Sequence, residues 1–200
     1  MKIYGGGAGA SSLLLDLSAQ DKNCSLVNPT GKSNAPTALA TLNALAGMDF
    51  ITLAGPVFEH SPWVAEAVVE QRPFPNLEAL HSAMCGAVRE ASAEQQLALI
   101  RAHPDLVGRA VLTAESQGEQ AASGLLDLRP DEVALFNRYN REYQARFGFP
   151  FVICARLNKK DSILAAFPHR LKNSPDTERA TALDEIFKIA RLRLNDLIRE

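Results

Sequence analysis

Asp131-Glu132-Val133-Ala134-Leu135-Phe136-Asn137-Arg138-Tyr139-Asn140-Arg141-Glu142-Tyr143-Gln144-Ala145-Arg146-Phe147-Gly148 is the stretch that decides the fold. Val133, Phe136, Tyr139, Asn140, Tyr143 and Phe147 recur every three to four residues, which puts them on one stripe of an α-helix. A half-buried strand would alternate at every second residue, and this run does not. Gly148 follows the last periodic residue, where a glycine most easily supplies the left-handed turn that ends a helix.

The same period runs outward in both directions. Thr177 to Ile198 carries Leu183, Ile186, Phe187, Ala190, Leu194 and Leu197 inward, and Ser162 to Leu171 is a shorter helix before it. On the N-terminal side, Ser92 and Gln95 have the spacing of a capping box. Asn76 caps a helix with Leu77, Leu80, Met84 and Val88 on one face. Ser61-Pro62 reads as a capping side chain followed by proline at the first helical position, and that helix ends before Arg72-Pro73. Asp49 caps a helix bearing Phe50, Leu53 and Ala54, and Leu39 to Leu45 forms a short one. Thr113 to Leu125 completes the series. Phe149 to Leu157 is β-branched and aromatic, and its pattern fits an extended segment as well as a buried helical turn. With no repeat and no alternating run, the expectation is an all-α fold: one helical domain of about seven to nine helices over residues 37–200. Residues 1–36 are rich in Gly, Ser and Asn, lack periodicity, and read as a loosely structured N-terminal extension.

Bulk properties narrow the function. The chain has 200 residues, a net charge of -2 and a hydrophobic fraction of 46%. Both charge signs are interleaved, so there is no footprint for nucleic acid and no polybasic membrane surface. No apolar run reaches the roughly 18 residues needed to span a bilayer. Cys24, Cys85 and Cys154 are an odd number with no CxxC, which argues against a disulfide framework and fits a reducing compartment, with the cytoplasm as the expected location. Two glycine-rich motifs fail on inspection. Gly5-Gly6-Gly7-Ala8-Gly9 is not followed by a βαβ unit, and Gly31-Lys32-Ser33 would need the first glycine of a phosphate loop where Leu26 stands.

Chemistry concentrates in three segments. His103 ends a helix, because Pro104 cannot continue it. The carbonyls of a helix end favour imidazolium, and a fixed imidazole suits general acid or base work. A C-cap histidine without chemistry fits the same position. In Ser116-Gln117-Gly118-Glu119-Gln120, the residues Ser116, Glu119 and Gln120 share one helical face. They form either a solvated helix start or a site for a polar, heteroatom-rich ligand. Phe151-Val152-Ile153-Cys154-Ala155-Arg156 reads as a core segment, or as an apolar wall whose backbone amides bind a flat ligand while Arg156 pairs an anion. His60, His81 and His169 read as polar core or surface residues. The absence of H-E-x-x-H and of a Cys/His cluster gives a metal site little support.

These segments, with Phe58-Glu59-His60-Ser61-Pro62-Trp63, Arg72-Pro73-Phe74, His103-Pro104-Asp105-Leu106-x-Gly108, Leu112-Thr113-x-Glu115-Ser116-x-x-Glu119-Gln120, Phe147-Gly148-Phe149-Pro150-Phe151 and the closing register around Arg191-Leu192-Arg193-Leu194, resemble the OHCU (2-oxo-4-hydroxy-4-carboxy-5-ureidoimidazoline) decarboxylases of urate catabolism. The resemblance spans about residues 38–198. The link between Gly108 and Leu112 is shorter than in some members, and residues 1–36 have no counterpart. The resemblance implies an all-helical homodimer, no metal or organic cofactor, and decarboxylation of the small molecule OHCU to (S)-allantoin. It implies His103 as catalytic proton donor. It places Pro104, Ser116, Gln117, Gly118, Glu119, Gln120, Phe151, Val152, Ile153, Cys154 and Ala155 at substrate-contacting positions, and Arg156 follows as an anion anchor. Glu119 is expected to orient His103 or to hold the substrate hydroxyl. The alternatives are a non-catalytic helical module that binds a purine-derived metabolite or a partner protein, and a hydrolase of a related ureido compound.

Overall fold

A computed structural model describes residues 36–107 and 114–200. The expected extension over residues 1–36 lies outside these residues, except for Pro36, as do the two glycine-rich motifs, Cys24 and the link from Gly108 to Leu112.

Among the described residues there are nine α-helices: α1 (Leu39–Ala44), α2 (Gly47–Ala54), α3 (Trp63–Val68), α4 (Leu77–Glu90), α5 (Ala93–Arg101), α6 (Ala114–Ala122), α7 (Pro130–Phe147), α8 (Lys160–Arg170) and α9 (Pro175–Leu197). The all-α expectation holds. Its one departure is a parallel pair of two-residue strands, β1 (Thr37–Ala38) and β2 (Ile198–Arg199), in which Thr37 pairs with Ile198.

Caps explain several helix boundaries. Asn76 Oδ1 accepts from the Ala79 N–H at 2.8 Å and opens α4. Ser92 and Gln95 form the expected capping box at the start of α5. Gly148 ends α7 at φ 74°, a left-handed backbone. Asp49, expected to cap α2, instead lies in its first turn, two residues inside a helix that begins at Gly47. There its charge still favours the positive end of the helix dipole. The helix after Ser61-Pro62 opens at Trp63, with no side-chain cap. Phe149 to Leu157 is irregular chain closed by a 3₁₀ turn over Ala155–Leu157.

The core forms where the apolar stripes meet. α9 packs against α4 and α5, α3 lies on α4, and α7 on α8. Phe136, Asn140 and Tyr143 are buried along α7, with Tyr139 and Phe147 packed against them. Phe151 and Phe167 stack with ring centroids 3.8 Å apart, and Tyr143 meets Phe151 edge-on at 5.2 Å. Each buried ring of this kind stabilises the fold by about 1.5–3 kcal/mol. Charged residues also lie inside: Glu178 is fully buried, and Arg170 and Arg193 nearly so. Among the described residues no helix is long and apolar enough to cross a membrane.

A β-carbon at position 148 would meet no close atom, the nearest being Arg101 Nη2 at 3.7 Å, so only the backbone resists it. Gly148→Ala is therefore expected to lower unfolding stability by about 1–2 kcal/mol, the cost of a left-handed L-residue. A lowered denaturant midpoint at unchanged slope would show it.

Candidate active site

The site is built where the end of α5, one face of α6, the irregular segment 150–155 and α9 meet. His103 stands two residues beyond α5, and its N–H donates to the Ile100 carbonyl at 3.2 Å. Its Nδ1 lies 3.0 Å from the Leu99 carbonyl. A carbonyl only accepts, so Nδ1 carries a proton and the neutral ring keeps its lone pair on Nε2. Burial pushes the ring pKa down to about 4, although the Leu99 carbonyl and Glu59 favour the charged form. The helix end was expected to favour imidazolium. Desolvation outweighs it, and the ring is neutral near pH 7.

Three side chains fasten the turn after His103. Asn140 Nδ2 donates to the Leu106 carbonyl at 2.7 Å, and Gln144 Nε2 donates to Asp105 Oδ1 at 2.8 Å. The Val107 N–H donates to Gln120 Oε1 at 3.2 Å. Val107 has φ 60°, a costly backbone for a β-branched residue, and these bonds help to hold it there.

Arg193 of α9 organises the polar side. Its Nε and Nη2 donate to the two oxygens of Glu119 at 2.8 and 2.9 Å, as a two-pronged fork. Nη1 donates to Glu59 Oε2 at 2.9 Å, and Nη2 lies 3.3 Å from Ser116 Oγ. Ser116 Oγ donates to the same Glu59 oxygen at 3.2 Å. Burial pulls the guanidinium pKa down, but Glu119 and Glu59 outweigh it and hold it above its ordinary value. Both Glu119 oxygens thus accept from Arg193, and among the described residues no hydrogen bond joins Glu119 to His103.

A cavity of about 30 Å³ lies between these groups, lined by His103, Pro104, Leu106, Ser116, Glu119, Gln120, Phe151, Val152, Ile153, Ala155 and Ile189. Glu59 and Arg193 also line a larger, open hollow of about 410 Å³ that includes Thr52, His60 and Glu115. Of the residues singled out from the sequence, His103, Pro104, Ser116, Glu119, Gln120, Phe151, Val152, Ile153 and Ala155 share the small cavity. Gln117 and Gly118 are exposed on the other side of α6. Cys154 turns away: its N–H donates to Glu185 Oε2 at 2.8 Å, and burial raises its thiol pKa above the ordinary value. Arg156 forms an ion pair with Asp196 and is not part of the lining.

Arg193 and Glu59 stand in the motifs that carry the resemblance, but sequence reasoning gave them no role in the site. Arg193 occupies the inward stripe of α9 between Ala190 and Leu194, and a charge on a buried stripe is a signal in its own right. Glu59 had no such signal, because its partners come from α6 and α9, more than 50 residues away.

The sequence model of the OHCU decarboxylase family matches residues 43–195. A 2-oxo-4-hydroxy-4-carboxy-5-ureidoimidazoline decarboxylase of Haloferax volcanii is 46% identical over 156 residues, covering 78% of this chain and 93% of that protein. One of Amia calva is 44% identical over 161 residues, covering 78% of this chain and 92% of that protein. The crystal structure of an (S)-allantoin synthase superposes with a TM-score of 0.69 at 30% identity, over 82% of this chain and 54% of that one. With the family model and these relatives matching along most of its length, the chain belongs to the OHCU decarboxylase family.

Proposed function

We propose that this chain decarboxylates OHCU to (S)-allantoin in urate breakdown, with His103 as the proton donor. The observation that carries the reading is one cavity lined by a buried neutral imidazole, a hydroxyl, a carboxamide and the carboxylate of Glu119, which Arg193 holds from behind, in a member of this family. The substrate has a carboxylate and a hydroxyl on one ring carbon, with a ring C=N bond beside it. When the C–CO2 bond breaks, its electron pair moves into the ring and the imine nitrogen takes a proton from solvent. An enol remains, and collapsing it to a carbonyl moves a proton from oxygen to the neighbouring carbon. Neutral His103 suits that transfer: Nε2 accepts the hydroxyl proton, and the imidazolium delivers it to one face of the carbon. The Leu99 carbonyl fixes the ring, and Arg193, held by Glu119, supplies a cation for the substrate carboxylate or the developing charge. Ser116 and Gln120 offer hydrogen bonds to the ureido and ring groups. A homodimer, as the resemblance implies, in the cytoplasm, as the cysteine usage suggests, completes this reading.

Freshly generated urate oxidation product, incubated with the enzyme, is expected to release CO2 without ammonia and to yield one allantoin enantiomer. Racemic allantoin at the uncatalysed rate would overturn the activity, and ammonia release would favour a hydrolase. His103→Asn should keep the circular dichroism of the folded protein and lower kcat by about 10²–10⁴-fold. Near-native turnover in that variant would remove His103 from the chemistry. For the proton itself, kcat/KM should be level above about pH 5 and fall on the acid side as the free-enzyme ring, with its pKa pushed down to about 4, becomes protonated. A tenfold fall per unit as pH rises from 5 to 8 would mean that a ring already charged is the donor.

A further inference from the structure

Arg170 is a buried cation that the proposed chemistry does not use. It sits at the last turn of α8 and makes two kinds of contact. Toward its own layer, Nε donates to Glu178 Oε1 at 2.7 Å, and Glu178 also accepts from Asn173 Nδ2 at 2.7 Å and from the Tyr143 hydroxyl. Toward the site, Nη1 donates to the Val152 carbonyl at 2.6 Å, and the guanidinium lies 4.4 Å from the centroid of the Phe151 ring. That ring also stacks on Phe167 at 3.8 Å and meets Tyr143 edge-on at 5.2 Å. Phe151 and Val152 both line the small cavity beside His103.

The wall segment has no helix or sheet ladder to hold it. Its backbone is fastened from outside, at Val152 by Arg170 and at Cys154 by Glu185. Ordinary stability is a poor reason to bury the pair of Arg170 and Glu178. Apolar residues of similar volume usually serve stability as well or better, whereas a guanidinium fork fixes direction. We propose that Arg170, oriented by Glu178, is a positioning residue that holds the Phe151–Val152 wall in register with His103. It thereby sets substrate affinity and the face that receives the proton. This rests on the decarboxylase reading above. In that reading the substrate is a small anionic heterocycle, and its orientation against the wall decides the handedness of the product.

The test separates tethering from mere folding. Arg170→Met alone strands the Glu178 charge inside and is expected to destabilise the protein. Arg170→Met with Glu178→Gln removes both charges, restores folding, and still leaves Val152 without its tether. If Arg170 positions the wall, the folded double variant should show KM raised roughly tenfold or more. It should also lose enantiomeric excess in the allantoin, while kcat falls much less than in His103→Asn. Arg170→Lys, which keeps the charge but not the fork, should lie between the double variant and the parent in both readouts. A double variant with a parent-like melting temperature, KM and enantiomeric excess would overturn the inference. Should the double variant fail to fold, Arg170→Lys decides: parent-like KM and handedness would overturn the positioning role. Failure of the underlying reading is distinct, because the parent enzyme would then give racemic product at the uncatalysed rate.

Discussion

Arg193 is a permanently charged group on the buried face of a 23-residue helix, and the polar half of the site is arranged around satisfying it. A guanidinium out of water needs its donors occupied, and here two carboxylates and a hydroxyl from α6 and the Glu59 segment converge to do so. Three parts of the chain, separated by 57 to 134 residues, are thereby tied to one point. Removing one partner of such a cluster leaves a charge uncompensated, at about 3–5 kcal/mol. Glu119 of that fork lines the small cavity, and Arg193 lines the neighbouring hollow.

The Arg170–Glu178 cluster is the counterpart on the apolar side. It anchors the segment that has no regular structure, whereas Arg193 ties segments that do. Between them lies His103, whose charge state is set by burial rather than by the helix end that presents it. The two arginines fix the walls, and desolvation fixes the proton inventory. The site therefore combines an ionic frame with an imidazole that burial keeps neutral.

Local chemistry was legible in the sequence. Asn76, the Ser92–Gln95 box, the Pro104 stop and Gly148 act through neighbours a few residues away, and each functions as its residue type predicts. The shared cavity of His103, Ser116, Glu119 and Gln120 was also foreseeable, since three of these recur on one face of α6. Asp49 fell inside its helix because Gly47 and Met48 extend the first turn, an effect that capping propensity alone does not capture. Long-range pairing was not legible. Nothing near Glu119 says that its partner is Arg193 rather than His103, and nothing near Arg156 says that Asp196 claims it. Period separates Gln117 and Gly118 from the face of Ser116, Glu119 and Gln120, but does not tell which of the two faces is covered. That follows only once the wall at 151–155 shows which side of α6 is covered.

The short pairing of Thr37 with Ile198 has a consequence for how this body can be joined to others. It brings the first and last elements of the helical domain side by side, so the fold is nearly a closed loop of chain. A circular permutant that links those two ends with a few residues and opens an exposed connection elsewhere would disturb little of the core. By the same geometry the domain is suited to insertion into another protein, because both of its junctions would emerge at a single place.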